Sequence, residues 1–109
     1  MAYDEGLATL LREDLADEAG IAEKRMFGGL AFLLHGHMVC GLHPGGAMFR
    51  VGKPNEAAAR AIDGAGPMMF SGRAMGGMID VTDEAMADDA RRQAWLAMAL
   101  SHARGLPPK

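Results

Sequence analysis

The sequence predicts an α+β two-layer domain, a single antiparallel five-stranded sheet with helices packed on it, in the order α-β-β-β-α-β-β-α. Three observations predict it. Residues 25–42 hold the densest apolar run, bounded by glycines and split by a polar tip, His35-Gly36-His37, which is the pattern of a hairpin rather than a helix. A second apolar stretch, residues 67–81, is punctuated by Gly and Pro in the same way. Both ends of the chain carry apolar residues at helical spacing.

Taken in order, residues 3–19 place Leu7, Leu10, Leu11 and Leu15 on one stripe, with Arg12, Glu13, Asp17 and Glu18 opposite. Asp4 and Glu5 sit where a helix N-terminus favours negative charge, and Gly20 is the expected stop, with Ile21 folding back. In residues 30–34, Leu30, Phe32 and Leu34 share one strand face, and Ala31 and Leu33 take the other. Gly28-Gly29 ahead of them implies a bulge or a close backbone approach. Residues 38–43 return, Pro44-Gly45-Gly46 turns, and residues 47–52 form a third strand with Ala47, Phe49 and Val51 inward and Arg50 outward.

Pro54 fits the first turn of a helix that continues over residues 55–63, until Gly64 and Gly66 end it. Residues 68–73 form the next strand, residues 74–77 a connection, and residues 78–81 the fifth strand. The last helical region begins at Thr82-Asp83-Glu84 or at Asp88-Asp89. It presents Trp95, Leu96, Ala99, Leu100 and Ala103 as its apolar stripe and stops at Gly105 and Pro107-Pro108.

With 109 residues, half of them hydrophobic and 23% charged, the chain holds one domain's worth of material, residues 1–109, and enough apolar residues for a core. Ten methionines against few aromatics imply a core filled largely by thioethers and small residues; an exposed subset would instead make an adaptable partner surface. The net charge of −3 supplies no bulk attraction to nucleic acid or anionic membrane. A lone cysteine, Cys40, excludes an internal disulfide and fits a reducing compartment. No leader pattern or membrane-length apolar segment is visible, so a cytoplasmic protein without membrane association is expected.

His35, His37, Cys40 and His43 are the residues that could ligate zinc or copper. Regular strand pairing would put His37 and His43 on one face and Cys40 on the other, so they are read as polar turn residues beside a buried thiol, and no metal or cofactor is expected. Cys40, flanked by Val39, Gly41 and Leu42, lacks the base and the electropositive setting of a nucleophile. No catalytic residues are assigned. Arg25, Arg50 and Arg73 are the binding candidates, with the glycines Gly28, Gly29 and Gly72. Arg50 interrupts an apolar strand, while Arg25 and Arg73 each stand ahead of a glycine doublet; with Lys24 and Lys53 at the rim they could form a local basic patch suited to phosphates or carboxylates. Pairing with a local acid such as Asp80 is the alternative. Stacking on nucleic acid would fall to Phe27 and Phe70.

Several segments together resemble a known family. Arg25-Met26-Phe27-Gly28-Gly29, Leu30-Ala31-Phe32 and Met38-Val39-Cys40-Gly41 are similar to the N-terminal domain of the TfoX/Sxy family. So are Phe49-Arg50-Val51-Gly52, the run from Pro67 and Met68 through Phe70, Gly72, Arg73 and Met75 to Gly77, and the closing Leu106-Pro107-Pro108-Lys109. The resemblance covers nearly the whole chain in order. It implies a compact α+β domain and a role like that of bacterial competence regulators, which are thought to act with a transcription activator rather than as enzymes. Those regulators usually carry a further C-terminal helical domain, and this chain is read as a short single-domain member. The resemblance carries over no catalytic residues, only the motif positions Arg25, Gly28, Gly29, Arg50, Gly72 and Arg73. The expected function is therefore non-enzymatic regulation by protein binding, with a transcription factor as possible partner and a homodimer through open sheet edges. A nucleic-acid-binding accessory domain, or a small-molecule or metal-binding protein using the His35/His37 turn, is the alternative.

Overall fold

Asp4 starts the first helix by accepting hydrogen bonds from the Gly6 and Leu7 backbone N–H groups at 2.8 and 3.2 Å. This helix, α1, spans Glu5–Asp14 in a computed structural model that describes residues 3–26 and 28–107. It buries Leu7, Ala8 and Leu11, and it ends sooner than its periodicity predicts, with Leu15 as C-cap. Gly20 lies at φ 87°, and a Cβ there would stand 2.4 Å from the His35 ring, so this glycine opens a strand rather than closing the helix.

That strand, β1 (Ile21–Met26), corrects the expected count: among the described residues the sheet has six strands, not five. Ala22, Glu23, Lys24 and Arg25 are all exposed, because β1 is an edge strand that pairs only with the next one and needs no apolar alternation. The remaining elements are β2 Gly29–Leu34, β3 His37–His43, β4 Gly46–Arg50, α2 Lys53–Arg60, β5 Ala65–Phe70, β6 Arg73–Thr82, α3 Asp83–Met86 and α4 Asp89–Arg104. All pairings are antiparallel, in the order β1-β2-β3-β4-β6-β5.

Several boundaries move for local reasons. The strand expected over residues 47–52, β4, stops at Arg50, and Gly52, at φ 85°, becomes the N-cap of α2. Ser71 and Gly72, at φ 53° and 78°, make the β5–β6 hairpin turn, so Arg73 opens β6 and residues 74–77 are strand rather than connection. Both proposed starts of the last helical region are used. Thr82 caps α3 through the Ala85 N–H, Asp88 caps α4 through the Arg91 N–H, and the region is two helices.

Residues directly opposite one another on paired strands share a sheet face. One face therefore carries Leu30, Phe32, Leu34, Cys40, Leu42, Ala47, Phe49, Ile79 and Val81, and every one of them is buried. The same cluster takes Leu11 from α1, Ala59 from α2, Met86 from α3 and Trp95 from α4, so all four described helices lie on that face. Trp95 packs on Phe49 with ring centroids 6.0 Å apart and donates its indole N–H to the Ala59 carbonyl at 3.0 Å. Among the described methionines only Met86 is fully buried. The expected thioether core is thus replaced by a Leu, Val and Ala core around three aromatic rings.

Among the described residues Arg92 is the one charged side chain in this interior, 2% exposed. Its guanidinium donates to Asp14 at 2.7 Å, to Asp89 at 2.8 Å and to the Met86 carbonyl at 3.0 Å, tying α1 to the α3–α4 corner. No helix of the described residues is long and apolar enough to cross a membrane.

Candidate interaction surface

The opposite sheet face carries none of the described helices. Reading across the pairings, it presents Lys24 and Met26 from β1, Ala31 and Leu33 from β2, Met38, Gly41 and His43 from β3, Met48 and Arg50 from β4, and Met78 and Asp80 from β6. An uncovered antiparallel face is ordinarily polar. Here Met26, Leu33, Met38, Met48 and Met78 remain partly exposed. The Met38 and Met48 methyl groups flank Gly41, each 3.1 Å from where its Cβ would be. Ala31, though 1% exposed, stands outside the helix-side core. Two further methionines, Met69 and Met75, are exposed on the β5–β6 hairpin, 51% and 38%. The signal for this face was present in the sequence, since both alternating sets of residues 30–34 are apolar.

A β-bulge alters the histidine geometry. Phe32 pairs with Cys40 and Leu33 with Met38, so Val39 is an extra residue on β3 and the side-chain alternation shifts there. His37, opposite Leu34, turns to the helix side and bonds the Pro107 carbonyl; His43 turns to the open face. The expectation that His37 and His43 share a face is overturned. Among the described residues no group of three His, Cys, Asp or Glu side chains is placed to hold a metal ion. Cys40 is fully buried, and burial, with the Asp14 charge adding to it, pushes its thiol far above the usual range, so the reactive thiolate is strongly disfavoured.

His43 donates from Nδ1 to the Pro44 carbonyl at 2.9 Å and from Nε2 to Asp80 at 2.7 Å. Donating from both nitrogens requires the imidazolium. Burial opposes that charge, but the Pro44 carbonyl and the Asp80 carboxylate outweigh it and raise the pKa above its ordinary value. A raised folded-state pKa stabilises the protein below the unfolded value near 6.5, and the contribution is lost as pH rises through the folded value. In an NMR titration the His43 midpoint is expected above 6.5, falling in Asp80→Asn, with a flatter decline of stability on the alkaline side; an unchanged midpoint in the variant would refute the pairing.

The sheet does not gather the three arginines. Arg25 lies on edge strand β1, opposite Leu30, and Arg50 lies on β4, opposite Met78 on the other face. Three strand spacings, roughly 14 Å, separate those strands. Arg73 sits at the exposed tip of the β5–β6 hairpin. Among the described residues none of the three forms an ion pair, and Asp80, the acid named for the alternative of local pairing, pairs with His43. Of the basic set, Arg50 and Lys53 do meet, in a cleft beside His102. The side chain of Phe70, together with Phe27, Pro108 and Lys109, lies outside the described residues.

The motif glycines serve the backbone. Gly28, at φ 73°, turns the chain, and Gly29 is the close approach foreseen: a Cβ would stand 2.0 Å from the Leu42 carbonyl oxygen on the neighbouring strand. Gly72 completes the β5–β6 hairpin turn.

Residues 13–103 match the family model described as the TfoX N-terminal domain. No curated protein and no solved structure is matched by the chain.

Proposed function

The chain belongs to the TfoX N-terminal domain family, and from that premise we propose that it is a non-enzymatic, competence-regulator-like domain that binds a protein partner through its helix-free sheet face. The placement of the methionines carries this reading: Met26, Met38, Met48 and Met78 stand on that face and not in the core. Thioethers adapt their shape to a partner at little cost, and an apolar centre rimmed by charges is the usual anatomy of an interface. Lys24, Arg50 and the His43–Asp80 pair supply such a rim and would set the orientation of the partner. The partner class we favour is a transcription activator, the kind of protein with which the family's competence regulators are thought to act.

Two substitutions test the face while respecting the fold. Met48→Lys lies opposite Asp80 and Met78→Glu lies opposite Arg50, so each new charge faces an opposite one across the strand. Both variants are expected to melt close to the wild type and to lose the partner in affinity capture from host cells, whereas Ala97→Glu on the exposed side of α4 retains it. Equal recovery by all four proteins would overturn the proposal.

A further inference from the structure

We propose that the cleft between the end of β4, the start of α2 and the end of α4 binds a small phosphate-bearing molecule. The cleft has a volume of about 350 Å³ and is lined by Arg50, Lys53 and His102 together with Gly52, Gly76 and Gly77. Arg50, Lys53 and His102 come from three different elements, Arg50 and Lys53 carry positive charge beside the His102 imidazole, and among the described residues no acid lines the cleft. Gathering like charges without a counter-ion is unfavourable, and this happens in a chain whose net charge is −3. Among the described residues Arg50, Lys53 and His102 form no ion pair. The nearby carboxylate of Glu56 is already engaged, accepting the Gly77 N–H at 2.8 Å and facing Arg60 at 3.6 Å. An oxyanion would therefore meet two cations, Arg50 and Lys53, with which no described acid pairs.

The walls are held in place by backbone. The Gly77 carbonyl accepts from the N–H groups of both Val51 and Gly52, at 2.9 and 3.0 Å, fastening β6 to the turn that precedes α2. A Cβ on Gly52 would stand 2.6 Å from His102 Nδ1, and one on Gly76 would stand 3.0 Å from Lys53 Cε. The imidazole and the lysine stem are thus laid directly on glycine backbone, converging where a bulkier residue would push them apart. The volume lies at the small end of ligand pockets, which favours a compact phosphate ester over a polymer backbone. The cleft shares Arg50 with the rim of the sheet face, but Lys53 and His102 are not on that face, so Lys53→Gln separates this inference from the sheet-face proposal.

An amide NMR titration of the full chain with inorganic phosphate, at constant ionic strength set by chloride, tests it. Saturable shifts are expected at Gly52, Lys53, Gly76, Gly77 and His102. The dissociation constant should weaken at least tenfold in Lys53→Gln and in Arg50→Gln and stay unchanged in Arg73→Gln. Shifts that do not saturate, that spread over all surface cations or that persist in Lys53→Gln would overturn the proposal. Tighter binding of a duplex oligonucleotide through the same residues would overturn the small-molecule assignment.

Discussion

Arg92→Ala is expected to destabilise the protein by about 3–5 kcal/mol in chemical denaturation, the cost of breaking a buried ion pair by removing one member. The guanidinium is 2% exposed and serves three acceptors at once, and the side chain of Asp14 is itself only 13% exposed. Without Arg92, that carboxylate stays largely out of water with no cation beside it, and the Met86 carbonyl loses its donor. Single domains have total stabilities of roughly 5–15 kcal/mol, so the variant is expected to stand near the edge of folding. Replacing both partners, Arg92→Met with Asp14→Leu, is expected to recover most of the loss, because two apolar side chains leave no orphaned charge. A single variant within about 1 kcal/mol of the wild type would show that the clamp contributes little.

Gly29→Ala is the second large effect, expected at about 3 kcal/mol. The Cβ would stand 2.0 Å from the Leu42 carbonyl oxygen and 3.1 Å from the carbon that bears it, so β2 and β3 must separate. No flexible side chain is available to yield, since both atoms are backbone. Neighbouring Gly28 has open space around it, and Gly28→Ala meets only the left-handed backbone cost at φ 73°, about 1–2 kcal/mol. Thermal melts should rank wild type above Gly28→Ala above Gly29→Ala, with the last lowered by more than roughly 10 °C. Equal melting of the two variants would contradict the close approach.

The parts of the fold legible in the sequence were those where a residue's neighbours in the chain decide its environment. The alternation of Leu30, Phe32 and Leu34 against Ala31 and Leu33 is recovered in the sheet, and the meander and the helices capped by Asp4, Thr82 and Asp88 follow from local signals. Strand β1 was not legible, because an edge strand whose middle four residues are solvated carries no apolar period. The bulge at Val39 hid for a similar reason: one inserted residue reverses the facing of His37 without changing composition. The Arg92–Asp14 contact spans 78 positions and had no sequence signature. Methionine number pointed to the core, but methionine position places the thioethers on the other side of the sheet. Of the three arginines Arg50 lines the cleft, while Arg25 lies on the far edge strand and Arg73 at the tip of the β5–β6 hairpin, placements that depend on strand pairing and not on local sequence.

Site-specific photo-crosslinking in host cells tests the account most directly. A photoreactive residue at position 48 or 78 should yield a discrete cross-linked partner protein, and the same residue at position 97 should yield none. Cross-links confined to position 97, to a second copy of this chain or to no protein from positions 48 and 78 would contradict the assignment of the helix-free sheet face as the partner surface.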